Sequence, residues 1–456
     1  MRFTALGGCG EIGANSYYLD VDGTGLLLDA GVHPKKYGRE SLPMIDALRR
    51  KEIHAVLISH CHIDHLGALP VILKYFPTPR IFMTTPSLPV SMRMLHNTVT
   101  VMERIKEEKS IMDYPLYTHE EIDMIAPLFQ SVQYDSPFRI PSANGHRRPE
   151  PEAVFMDAGH ILGSAGILIR GKEETIFYTG DTCLHDQTVI KGAIYPEEKV
   201  DILILENTLC ASAEAEKKQR GHEVHRFAGD IRKVIERGGS VLIPTFALGR
   251  TQEILAVLER LKKRQSIPEV PILVSGMGRV FSKLYDRFAL MTRRKDPDLL
   301  FKNIETRLLG PKVPVNKSLF KEPCIVVATS GMLNEKTPAN LLAQVMVEDP
   351  RHGIFFVGYL DEDTKGFQLL TAGQGEKVLF EESRPPRIKN CDVLSFRFSA
   401  HSHRGEILHL VQELSPKKVV LVHGEKGAIG WTAEMIRQMD HGIDVIVPEA
   451  GSEITL

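Results

Sequence analysis

No stretch of this chain approaches the ~20 consecutive apolar residues that carry a helix across a bilayer. No C-x-x-C pair occurs among its six cysteines, Cys9, Cys61, Cys183, Cys210, Cys324 and Cys391. The first absence argues against a membrane-spanning role. The second leaves scattered thiols without a disulfide framework, which fits a reducing cytosol. Charge of one sign is lacking as well. With a net charge of −2, any polyanionic partner must be held by a local basic cleft rather than by the overall field. The first residues offer a single early Arg2, then polar and glycine residues, with Glu11 close behind, and no secretory signal is expected. Internal repeats and low-complexity tracts are missing too. What is present is the balance of a soluble globular protein, 43 % hydrophobic and 25 % charged over 456 residues. That length suggests two or three domains.

Short β-rich runs at 26–29, 154–157, 167–169, 175–178 and 202–205 read as strands, most closing on Gly or an acid. Helices are expected over about 89–109 and 119–129. The character changes after Glu206. A helix over 224–237, a strand over 239–244 and a strongly periodic helix over 250–263 begin a strand–helix alternation. It continues through 272–274, 324–327 and 354–357, the pattern of a βαβ domain with a parallel sheet. The polar stretch 381–389, which contains Pro385 and Pro386, reads as a linker. Beyond it 393–398, 419–422 and 445–447 read as strands again.

His60, Cys61, His62, Ile63, Asp64 and His65 spell H-x-H-x-D-H, three imidazoles and a carboxylate within six residues. Borderline divalent ions such as zinc favour such N and O donors. The run 55–58 before the motif reads as a buried strand ending at Ser59. The donors are therefore expected on a loop at a strand's C-terminal end, where alternate residues can turn toward one point. Two ions need about six to eight donors, and the chain offers more at similar places. His160 follows the strand ending at Asp157, Asp181 the one ending at Tyr178, and His401 and His423 sit in FSAH and VHGE just after strands. Each alone reads better as a structural histidine or a turn aspartate. The repetition of strand, short turn and donor carries the inference.

These motifs, with LDAG at Asp29, the AGH and TGD turns, and GGCGEIGANSYYL at 7–19, resemble the metallo-β-lactamase fold in its RNA-processing branch. LENT at 205–208, PTFALGRTQEIL at 244–255, ATSGML at 328–333, GYLDEDT at 358–364 and FSAH at 398–401 resemble the β-CASP nucleases, over nearly the whole chain and in the same order. The resemblance implies an α/β architecture, a metallo-β-lactamase αββα sandwich split into residues 1–206 and a return segment 383–456. An inserted β-CASP domain, βαβ with a mainly parallel sheet, would occupy 207–382, cover the rim and form the RNA cleft. It also implies two zinc ions, one on His60, His62 and His160 and one on Asp64, His65 and His401. Asp181 would bridge them and Asp29 would stand behind the hexapeptide loop. Cys61 and Cys183 read as small spacers.

By the same resemblance Asp64, Asp181, Glu206 and His423 are the expected catalytic residues, acting with a hydroxide shared by the two ions. Arg250, beside Gly249 at a helix start, Ser330 and Gly331, whose N–H groups could face an anion, and Gln368 are the expected substrate contacts. Gln368 marks a departure. In the family a histidine of the G-Y-x-x-E-G-T segment, held by the acid matching Glu206, is proposed to protonate the leaving oxygen, and glutamine cannot. His222, His225 and His403 are the alternatives for that proton. The expected function is a zinc-dependent ribonuclease acting on single-stranded RNA in the cytosol, weak or specialised because of Gln368, with no membrane partner. His401 stands where DNA-repair members carry an apolar residue, which favours RNA over DNA. A homodimer is kept as one form of assembly. Two rival readings are a small-molecule hydrolase on the same scaffold, disfavoured by the inserted domain, and an RNA-binding subunit with weak or no catalysis, favoured by Gln368 but not by the intact ligand set.

Overall fold

A strand that is apolar at every position, rather than at alternate ones, needs cover on both faces. The runs 202–205 and 419–422 are of this kind, and their strands Ile202–Glu206 and Lys418–Val422 pair in parallel, Ile202 with Lys418 through Glu206 with Val422. In the computed structural model, Ile202, Ile204, Val420 and Val422 enter one core, while Leu203, Leu205, Val419 and Leu421 enter another. This is the period-two alternation of a pleated strand. The structure describes residues 1–141, 150–217, 220–310, 315–439 and 441–456. It divides into two units, one of Met1–Asp186, Gly192–Glu216 and Ala400–Leu456, the other of Gln187–Lys191 and Lys217–Ser399.

The first unit holds two seven-stranded sheets. One runs in spatial order Glu453–Thr455, Arg2–Ala5, Tyr17–Val21, Thr24–Leu28, Ala55–Leu57, Arg80–Thr84 and Phe129–Val132. The other runs Asp444–Ile446, Lys418–Val422, Ile202–Glu206, Thr175–Tyr178, Ala165–Arg170, Glu152–Asp157 and Phe138–Arg139. Phe3, Leu19, Leu28 and Leu57 of the first sheet pack with Phe155, Ile167 and Tyr178 of the second. The second sheet's outer face is covered by Ile407, Leu410 and Val411 of the helix Arg404–Leu414 and by Ile429, Ala433 and Ile436 of Lys426–Met439. The long helix Ser87–Lys109 lies against Arg80–Thr84 and Phe129–Val132. The layers are helix, sheet, sheet, helix, as expected.

The second unit is built on a six-stranded sheet in the order Arg307–Leu309, Ile272–Ser275, Ile325–Ala328, Val241–Pro244, Gly353–Phe356 and Asp392–Ser395. Every pairing in it is parallel. Leu242, Val326, Ile354 and Phe356 pack against Leu342, Ala343 and Met346 of the helix Pro338–Met346. The boundaries differ from the expected 206 and 383. The first unit extends to Glu216, and the return begins at Ala400. The strand expected to open the return segment instead pairs with Gly353–Phe356 and closes the inserted sheet. The stretch read as a linker contributes Arg387–Ile388 to a small antiparallel ribbon with Lys377–Val378. Among the described residues no helix is long and apolar enough to cross a membrane.

Candidate metal centre

The hexapeptide follows the strand Ala55–Leu57 and runs into a single helical turn, Ile63–Leu66. Asp29, just past Thr24–Leu28, fixes this loop from beneath. Its φ of +60° is one that aspartate tolerates better than most residues. Oδ1 accepts the Ser59 N–H at 2.7 Å, and Oδ2 accepts the Ser59 hydroxyl at 2.6 Å, the Tyr178 hydroxyl at 2.6 Å and the His65 Nδ1–H at 2.8 Å. The Asn15 N–H reaches the Asp64 carbonyl at 2.9 Å. At Gly31 an added Cβ would lie 1.6 Å from that same carbonyl oxygen, so the backbone approach requires glycine there.

These second partners settle which ring nitrogens face inward. The Ser59 hydroxyl gives its proton to Asp29, so it receives the His60 Nδ1–H at 3.1 Å. The His160 Nδ1–H goes to the Ala400 carbonyl at 2.8 Å. Lone pairs are left on the inner nitrogens. His60 Nε2 and His160 Nε2 lie 3.2 and 3.1 Å from His62 Nδ1. They lie 3.5 and 3.7 Å from Asp181 Oδ2, while His65 Nε2 lies 3.2 Å from Asp181 Oδ1. That Oδ1 is buried and, among the described residues, has no hydrogen-bond partner. Lone pairs converging at such distances without protons repel one another, and a cation among them reverses the sign. The residues therefore fit a bound metal.

Two donor sets have ligand atoms all within 4.8 Å of one another, His60, His62, His160 and Asp181 in one and Asp64, His65 and His423 in the other. Burial holds the His60 and His160 imidazoles well below their ordinary pKa and His62 below it, which keeps them in the neutral ligating form. Burial would raise the Asp181 carboxyl, but His423, His65 and His60 hold it well below the usual carboxylate range. Burial opposes charge on His65 too, yet Asp181, Asp64 and Asp29 push it upward. The local field is one that draws positive charge in.

The grouping departs from the expected one at two histidines. His423 Nε2 lies 3.3 Å from Asp64 Oδ2 and its Nδ1 3.2 Å from Asp181 Oδ1. It is His423, not His401, that joins Asp64 and His65. His401 instead directs Nδ1 to Glu206 Oε1 at 3.1 Å. Glu206 also accepts the Thr182 N–H at 2.8 Å and the Thr208 N–H at 3.1 Å. A third set of potential ligand atoms, Asp181, Glu206 and His401, overlaps this pair. The imidazole held by Glu206 is thus present, and it is His401. Gln368 lies exposed on the helix Lys365–Thr371 of the inserted unit. Spacing could not have found the pair, since it locates donors but not the direction of their ring nitrogens.

The other candidates are placed plainly. His403 caps the helix Arg404–Leu414, its ring accepting the Glu406 N–H, and His222 and His225 are exposed on Arg220–Glu236. Cys61 and Cys183 are buried, and Cys61 donates to the Ser87 carbonyl. Ser330 and Gly331 follow the strand Ile325–Ala328, where the Ser330 hydroxyl accepts the Asn334 N–H at 3.0 Å. Arg250, the expected phosphate contact, faces acceptors of the chain itself. It is 7 % exposed, and its guanidinium donates to the Phe398 carbonyl and the Gln187 side chain.

A four-layered αββα unit with histidine and aspartate sets converging at its strand ends defines a metallo-hydrolase. Residues 9–85 match the metallo-beta-lactamase superfamily, 251–369 the Beta-Casp domain, and 388–448 the Zn-dependent metallo-hydrolase RNA specificity domain. The chain thus carries metallo-β-lactamase, β-CASP and RNA-specificity regions in one sequence. It is 29 % identical over 456 residues to the probable RNase MJ4 of Methanocaldococcus jannaschii, covering 98 % of each chain. It is 28 % identical over 434 residues to cleavage and polyadenylation specificity factor 73 of Drosophila melanogaster, covering 93 % of this chain and 60 % of that one. With endoribonuclease YSH1 of Kluyveromyces lactis it is 28 % identical over 453 residues, covering 94 % and 56 %. The chain thus spans little more than half the length of the eukaryotic relatives. A crystal structure of a protein of unknown function from Enterococcus faecalis V583 superposes with a TM-score of 0.57 at 13 % identity, covering 100 % of this chain and 99 % of that one. That likeness concerns the fold alone.

Proposed function

We propose that this chain is a zinc-dependent ribonuclease that hydrolyses phosphodiester bonds of single-stranded RNA at a two-metal centre. The observation that carries this is the convergence of buried ring nitrogens on Asp181, whose two oxygens face different donor sets. The naming of the relatives as RNases and endoribonucleases supports the substrate class. His60, His62, His160 and Asp181 would hold one ion, and Asp64, His65, His423 and Asp181 the other. Two such ions supply a nucleophile from water at neutral pH and offset charge on the phosphoryl oxygens.

The chain's own residues do the rest. Asp29 keeps His65 in one tautomer, and Ser59 and Ala400 do so for His60 and His160. Burial opposes charge on His401, but Glu206 outweighs it and raises the imidazole above its ordinary value. Glu206 thus favours the protonated imidazole, and the role of His401 is to give that proton to the leaving oxygen. RNA is proposed over DNA on the naming of the relatives as RNases and endoribonucleases, and the cytosol as the compartment on the six free cysteines. The homodimer gains no support from the single chain. The test is elemental analysis after chelator-free purification, together with cleavage of matched RNA and DNA oligonucleotides. Two zinc ions per chain and faster RNA cleavage are expected. One metal or none, or DNA cut equally fast, overturns the proposal.

A further inference from the structure

The loop that carries Asp181 and the segment that carries His401 lie side by side in the first unit. The Ser402 N–H reaches the Thr182 carbonyl at 2.8 Å and the Leu184 N–H reaches the Ser402 hydroxyl at 2.9 Å. Both segments then change unit within a few residues. Asp186 is followed by Gln187–Lys191 of the inserted unit, and Ala400 is preceded by Ser399 of that same unit. Within the inserted unit one buried guanidinium touches both of the segments that lead to these crossings. Arg250 donates to the side chain of Gln187 and to the carbonyl of Phe398.

The surroundings of Arg250 are those of a built clamp rather than a solvent-facing cation. It opens the helix Arg250–Lys263, and both Thr251 and Gln252 after it are buried. Glu253, on the same helical turn, accepts the Thr188 N–H at 2.7 Å and the Val189 N–H at 3.1 Å and pairs with Arg220. The excursion 187–191 is therefore held at three successive residues by one helix N-terminal turn. Guanidinium suits this task, because its planar fork can serve two acceptors at once in fixed directions, which an ammonium cannot.

We infer that Arg250 is a positioning residue: by holding Gln187 and Phe398 together it fixes the two loop segments that bring Asp181 and His401 to the reaction. This rests on the ribonuclease reading above. A displacement of about 1 Å in such groups is enough to cost roughly 10²-fold in rate. It also explains why an arginine in this loop is spent on internal acceptors and not on a phosphate.

The experiment compares the native zinc-loaded chain with Arg250→Ala and the milder Gln187→Ala. It follows single-turnover cleavage of single-stranded RNA at saturating enzyme, RNA affinity against salt, zinc content, and hydrogen–deuterium exchange of 181–187 and 398–402. For Arg250→Ala the saturated rate should fall about 10²-fold, with zinc content, affinity and salt slope unchanged. Exchange should quicken in both segments, and millimolar guanidinium chloride should restore part of the rate. Gln187→Ala should shift the same readouts less, and it carries the test if Arg250→Ala does not fold. Weaker RNA binding with a salt slope reduced by about one, at an unchanged saturated rate, would assign Arg250 to a phosphate and overturn the inference. So would unaltered exchange in both segments. If the native chain cuts no RNA, the ribonuclease reading fails while the exchange comparison still decides the clamp.

Discussion

Both units place polar residues at the C-terminal ends of buried strands, and the two constellations differ in one respect. At the inserted unit's strand ends the groups are paired. Thr245 shares a hydrogen bond with Thr251, the Ser275 hydroxyl accepts the Thr329 N–H, Arg220 pairs with Glu253, and Arg250 meets two oxygens. In the αββα unit they are not all paired. Once Ser59 and Ala400 have taken the outer ring protons, His60 and His160 turn bare nitrogens toward Asp181 Oδ2, while its Oδ1, facing His65, has no hydrogen-bond partner among the described residues. A buried cluster whose donors and acceptors balance is architecture. One with surplus lone pairs is waiting for positive charge. The distinction is chemical and does not depend on how many histidines are present.

The contrast can be broken hardest at Asp181. Asp181→Ala should remove at least one zinc, seen by elemental analysis, and lower RNA cleavage by roughly 10³-fold or more, the scale of a lost metal contribution of several kcal/mol. A variant with both zincs and native turnover would mean that Asp181 is not a ligand. The next effect is expected at His401. His401→Phe should reduce turnover ~10²–10⁴-fold, the worth of a general acid, with both zincs kept; loss of a zinc would restore His401 to the ligands. The pH dependence sharpens this point. Glu206 favours the protonated imidazole, so in Glu206→Gln the His401 pKa falls, its protonated fraction at a given pH drops, and the alkaline limb of the rate profile moves to lower pH. A limb that stays in place would remove the proton from His401.

Smaller again is the effect behind the ligands. Asp29→Asn keeps the size of the side chain but not the charge that holds His65, and zinc affinity should weaken ~10–100-fold by competition with a chelating dye. Least of all is expected at Gln368. Gln368→His would have supplied a missing acid, but with His401 beside Glu206 and Gln368 on an exposed helix face, turnover should stay within about twofold, as for most surface changes. A large gain would reopen the question of the proton.

The hexapeptide, the AGH and TGD turns and the parallel inserted sheet were legible because each is written in a local pattern, a run of apolar residues followed by a donor or a helix period. What was illegible is what only packing decides. FSAH and VHGE look alike as strand-end histidines, and nothing in their spacing says that one ring reaches Asp64 and the other Glu206. The strand Asp392–Ser395 reads equally well as the last of one sheet or the first of another, and its pairing with Gly353–Phe356 settles that. Arg250 follows a strand and opens a helix whether it faces a ligand or the interior, so its burial was beyond reach of the sequence.

The strand Ile202–Glu206 alternates between two cores and ends in the residue that holds His401. Glu206 shares its face with Ile202 and Ile204. A slip of one residue in pairing with Lys418–Val422 would send the isoleucines to the helical layer and turn the carboxylate away with them. Correct folding and competence for catalysis are thus read out by the same register. A misassembled copy is expected to be inert rather than indiscriminate, which matters for a protein whose proposed substrate is present throughout the cell.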